Sequence, residues 1–140
     1  MFDESATIKQ ADKMKKSIPT WVTIISGLLT LLGLFVGGSL YLSPGTFIPD
    51  IDFSSADIKY LSNMWAARQI AIAAVIGYSL VRQSLPMLKI SLVAYCLMNL
   101  QDAIIGVTKP DNGLIIGASV VFGLSAFMIF TLIRNENKNE

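Results

Sequence analysis

Four apolar stretches, each close to or above the roughly 20 residues a helix needs to cross a bilayer, follow one another along this chain with short polar breaks between them. They run over about 19–42, 56–81, 85–107 and 113–133. Pro19 and Pro86 stand at opening turns, where a missing N–H leaves nothing unpaired. Ser54 and Asp57 have the spacing of a capping box ahead of the second stretch. Connections this short force neighbouring helices to run antiparallel. The sequence therefore predicts an all-α integral membrane protein, a single domain over 1–140, folded as an up-down-up-down four-helix bundle.

Composition points the same way. Of 140 residues, 53% are hydrophobic and 15% charged, against about a quarter charged in an ordinary soluble domain. The formal net charge is +1 with no histidine, which argues against a nucleic-acid partner and histidine-based metal binding. Without histidine there is no Ser-His or Cys-His nucleophile pair and no HExxH zinc motif. Glycine-rich phosphate loops and paired carboxylates at catalytic spacing are also missing. Any chemistry would have to run through Asp102, Tyr95 or Cys96, with Arg68 as electrostatic stabiliser, and an enzyme is not the expectation. The lone cysteine, Cys96, lies in the third stretch as a small apolar filler.

Cations set the expected orientation. Lys9, Lys13, Lys15, Lys16, Arg82, Lys89, Arg134 and Lys138 fall on one side of a four-span arrangement, against Lys59 and Lys109 on the other. The positive-inside rule then places both termini in the cytoplasm, and the short loops suit the plasma membrane of a bacterium, its inner membrane. The first stretch follows a charged leader, as a signal peptide would. It is longer than the usual apolar region of about 7–15 residues and lacks an A-x-A-like cleavage site, so we read it as retained. The longest connection, 43–55, faces outward with Asp50 and Asp52. Its Phe47, Ile48, Ile51 and Phe53 suit a segment lying along the membrane surface or folding over the mouth of the bundle.

Arg68 and Asp102 are the charged residues that fall well inside the apolar stretches, and those stretches are consecutive. A single charge at such depth costs about 2.5–3.5 kcal/mol by insertion scales, so two of opposite sign are expected to face one another. Trp65, Arg68, Gln69 and Ile72 share one face of the second helix, and Tyr95, Asn99 and Asp102 share one face of the third. At about 1.5 Å per residue, Arg68 lies roughly 16 Å from the outer end and Asp102 roughly 8 Å. Side chains lean toward a helix's own N-terminus, which brings these two together, and the arginine stem closes the rest by snorkelling. Asn99 and Gln69 are expected to satisfy remaining donors and acceptors. The pair can be read as a clasp between helices or as the polar head of a ligand pocket made by Arg68, Asp102, Asn99, Gln69, Tyr95 and Trp65, with Gln101 nearby. Catalytic and metal-ligating residues are not assigned.

Gly33 with Gly37, and Gly113 with Gly117, are small-xxx-small pairs, fitted either to packing inside the bundle or to a homodimer face. Gly77 and Gly106 read the same way.

The run WAARQI beginning at Trp65, together with NLQDA beginning at Asn99, resembles the DoxX-like small four-helix membrane proteins. Related families often carry an arginine in the second helix and an aspartate late in the third. Where that pattern often continues Arg-Asp, this chain has Arg68-Gln69. The resemblance implies the four-helix fold, and a wider group that includes proteins associated with quinone-linked respiratory or redox complexes.

Two functions from different classes follow. One is a small membrane protein binding a lipid-like or quinone-like molecule near Arg68, Asn99 and Asp102, its cofactor, if any, unknown. The other is an accessory subunit docking another membrane protein or its own copy through glycine-rich helices. Transport fits less well, because no inverted repeat or broken helix is visible.

Overall fold

The computed structural model describes residues 18–47, 51–108 and 111–137. Its helices are α1 (Thr20–Leu42), the short α2 (Pro44–Phe47), α3 (Ala56–Val81), α4 (Leu85–Thr108) and α5 (Asn112–Asn137). Among the described residues all regular structure is helical. Helices α1, α3, α4 and α5 are long and apolar enough to cross a membrane, the pattern of a multi-pass membrane protein. All four expected spans are present, with α5 running past residue 133 to Asn137. Lys9, Lys13, Lys15, Lys16, Lys109 and Lys138, and Ile48, Pro49 and Asp50 of the connection, lie outside the described residues, as does the Phe47 side chain.

The helix ends are fixed by short-range bonds, and one differs from expectation. Helix α3 takes Ser55 as its N-cap and has no side-chain cap, so the capping box from Ser54 to Asp57 does not form. Ser54 is engaged one step earlier, its N–H donating to Asp52 Oδ1 at 2.9 Å. That bond holds the Asp52 carboxyl below its ordinary value. Helix α5 is capped by Asp111, whose Oδ1 accepts the Leu114 N–H at 3.0 Å and satisfies one of the orphan donors of the first turn. Between α3 and α4 the chain reverses over 82–84, with Gln83 in the left-handed region at φ 52°. Ser84 N–H donates to Ser79 O and Gln83 N–H to Leu80 O, both at 3.0 Å. These are the two bonds of a Schellman ending, in which glycine usually holds the left-handed position. The Gln83 side chain adds a third bond, Nε2 to Leu80 O at 2.9 Å.

The long helices associate in two close pairs, α1 with α3 and α4 with α5, while α3 and α4 share a smaller contact. Glycines set the approach in both pairs. A β-carbon on Gly37 would stand 2.6 Å from Ile70 Cγ1 and 3.1 Å from the Ala66 carbonyl oxygen, and one on Gly33 would stand 2.9 Å from Ala73 Cβ. Ser62 Oγ donates to Leu40 O at 3.3 Å further along the same contact. In the second pair, a β-carbon on Gly106 would meet Ile115 Cγ1 at 2.8 Å. Gly33 and Gly37 are thus internal packing sites. Gly117 has nothing within 4 Å, and the nearest atom to a β-carbon on Gly113 is Asp111 Oδ1 of its own cap.

What unites the pairs is an apolar core containing Val22 and Leu29 of α1, Ile76 of α3, Leu88, Leu92 and Met98 of α4, and Met128 and Leu132 of α5. From α3 it draws on Ile76, with Ile72 and Leu80 packed against it, so this core lies toward the α3–α4 turn. Trp21 and Phe127 join α1 to α5 with ring centroids 5.7 Å apart. Lys89 Nζ and Glu136 Oε2, 2.6 Å apart, tie the start of α4 to the end of α5. Beyond Ile72, toward the start of α3, the apolar core gives way to a polar contact.

Candidate functional site

That contact is the pair read from the sequence. Arg68 Nη2 donates to Asp102 Oδ1 at 2.7 Å, joining α3 to α4 and hence one helix pair to the other. Arg68 stands near the middle of the 26-residue α3, while Asp102 lies in the last third of α4. The two Cα–Cβ bonds, each leaning toward its own helix start, and the long arginine stem close that offset.

The partners are unequally covered. The Asp102 side chain is 8% exposed and that of Arg68 is 40%. A guanidinium carries five N–H donors, and among the described residues the bond to Asp102 is the hydrogen bond this one makes. The site therefore presents unused donors at the α3–α4 seam and keeps its carboxylate inside. In hydrocarbon, where water is scarce, such donors call for an acceptor.

The other candidates are arranged around this pair without bonding to it. Asn99 is buried one turn before Asp102, and its Nδ2 donates to the Tyr95 carbonyl of its own helix at 2.8 Å. Tyr95 is itself buried as part of the apolar core. Gln69 is half-buried on α3, and its backbone carbonyl, not its amide, is what approaches Gly33 of α1. Trp65 is also half-buried; its Nε1 is enclosed and without a partner among the described residues. Gln101 is exposed and lies off this face. The structure thus brings Arg68 and Asp102 into contact and places Asn99 beneath them. Neither Asn99 nor Gln69 completes the pair's hydrogen bonding among the described residues. Nor does any bond among those residues link the 51–55 segment to Arg68 or Asp102.

Two polar features escaped the sequence reading. One is the Lys89–Glu136 ion pair, hidden because the fourth apolar stretch ends before Glu136 and Lys89 reads from the sequence only as a cation that sets orientation. The other is a set of buried serines spread over all four long helices: Ser26 on α1, Ser62 and Ser79 on α3, Ser91 on α4 and Ser125 on α5. Ser79, Ser91 and Ser125 each bond back to a carbonyl of their own helix, so they pack as small residues. Cys96 Sγ lies 3.8 Å from Phe122 O. No group of His, Cys, Asp and Glu among the described residues could hold a metal ion.

No family model, curated protein or solved structure matches this chain.

Proposed function

We propose that this is a small integral membrane protein that binds a lipid-like or quinone-like molecule at the α3–α4 seam, its polar end on Arg68 and its apolar body along the helices. The observation that carries this is the half-open guanidinium near the middle of a membrane-length helix, with most of its donors unused. A clasp alone would be better served by a guanidinium enclosed with its carboxylate, since exposed donors are costly in hydrocarbon. We place the protein in a bacterial inner membrane, both termini cytoplasmic, as an up-down-up-down bundle of the DoxX-like kind. Pairings such as Lys89 with Glu136, Cys96 with Phe122 and Gly106 with Ile115 support that topology, because partners run in opposite directions along α4 and α5.

Native mass spectrometry from mild detergent tests the binding. We expect wild type to carry a defined extra mass that is absent from folded Arg68→Ala; equal ligand content in both would rule the binding site out. An accessory role is the second reading, favoured by Gly117, which is open to within 4 Å near the exposed Val120 on α5. Gly117→Leu would then change the assembly size in detergent, and an unchanged size would count against it.

A further inference from the structure

Resting on that binding site, we infer that the molecule meets Arg68 through a neutral carbonyl oxygen, carried on an apolar body deep into the membrane. Three observations lead there. First, the open partner is the donor: Arg68 is 40% exposed and Asp102 8%. A ligand arriving at the seam encounters N–H groups, so the complementary atom is an acceptor; an ammonium head, which has donors and no acceptor, finds its carboxylate covered.

Second, the charge of Arg68 is already balanced. Asp102 sits at 2.7 Å, and among the described residues no second cation stands at that depth to balance an added anion. Lys89 is paired with Glu136 near the α3–α4 turn, Arg82 is the C-cap of α3, and Lys59 is in its first turn. A phosphate or carboxylate at Arg68 would leave one uncompensated negative charge in a low-dielectric setting. A neutral oxygen adds a hydrogen bond and no charge.

Third, depth excludes an ordinary headgroup. Arg68 lies roughly 18–20 Å from either end of α3 at about 1.5 Å per residue, near the midplane of a hydrocarbon core about 30 Å thick. Phospholipid headgroups stop at the surface of that core. A ketone, quinone or ester oxygen on a lipid-soluble body can reach the middle.

The test uses one tail and three heads. Full-length protein in mild detergent is incubated with methyl oleate, oleate or oleylamine at about pH 9, where the carboxylate is ionised and the amine still protonated. Retention is read by native mass spectrometry. We expect methyl oleate to be retained roughly tenfold better than either charged analogue. That preference should vanish in Arg68→Ala, a loss of roughly tenfold or more, the size of one hydrogen bond to a charged group. Arg68→Ala/Asp102→Ala, which leaves no orphan carboxylate, serves if the single variant does not fold. A short-tailed benzoquinone run alongside separates a quinone carbonyl from an ester carbonyl, and preferential retention of either supports the inference. Better retention of oleate or oleylamine, or equal retention of all heads that is lost in the variants, overturns the neutral carbonyl while leaving the site in place. Retention that is the same in wild type and variants, or absent throughout, overturns the site as well.

Discussion

Removing Arg68 and removing Asp102 leave different orphans, and the difference is measurable. Arg68→Ala strands a carboxylate that is 8% exposed, whereas Asp102→Ala strands a guanidinium that is 40% exposed, whose long stem carries its charge part of the way toward the membrane surface. Breaking an enclosed pair from the buried side costs about 3–5 kcal/mol. We expect Arg68→Ala to lose about 3 kcal/mol of unfolding stability, Asp102→Ala clearly less, and the double variant to recover part of the Arg68→Ala loss. Denaturation in bicelles checks this, and equal losses in the two single variants would contradict it. At this scale the charges were legible because a charge inside an apolar stretch can be located by inspection and needs a partner. Asn99 was not legible in the same way. A short amide can bond to its own helix as readily as to a neighbour, and here it does so through the Tyr95 carbonyl. The enclosed Trp65 Nε1 likewise follows from packing that no local pattern encodes.

Helices with the same small-residue spacing met opposite fates. Gly37 lies against Ile70 and the Ala66 carbonyl, while Gly117 has open surroundings. A methyl group should therefore act oppositely at the two positions. Gly37→Ala should lose about 1–3 kcal/mol through overpacking against backbone, and Gly117→Ala should be neutral or gain up to about 1 kcal/mol from helix propensity. Unfolding titrations of the two variants decide it; similar effects would mean that α1 does not approach α3 as described. Helix caps give a second prediction: Asp111→Ala should cost about 1 kcal/mol by freeing the Leu114 N–H, seen as a lower unfolding midpoint, and an unchanged midpoint would argue against the cap. The span limits were readable from apolar length, which the bilayer fixes. Helix α3 starts at Ala56 as its apolar length predicts, but its cap differs because Asp52 competes for Ser54, and Gln83 at a position usually held by glycine gives no local sign of a left-handed residue. Spacing shows that a helix face is small; it does not show what lies opposite.

At the scale of the molecule, two glycine-packed helix pairs are joined by an apolar core toward the α3–α4 turn and, further along α3, by Arg68 and Asp102. Hydrophobic length made the four spans legible, but every long helix in a membrane is apolar, so the choice of α1·α3 and α4·α5 as the close pairs had to come from side-chain fit. Everything proposed for the site depends on that polar bridge holding the pairs together beyond the reach of the apolar core. Its most direct test is a spin-label distance between Tyr60 on α3 and Val107 on α4, both exposed, each changed to a labelled cysteine in a Cys96→Ser background. We expect one narrow distance distribution in the otherwise wild-type protein, and a longer, broader one when Arg68→Ala and Asp102→Ala are introduced together. A distribution that does not change on removing both charges would contradict the bridge.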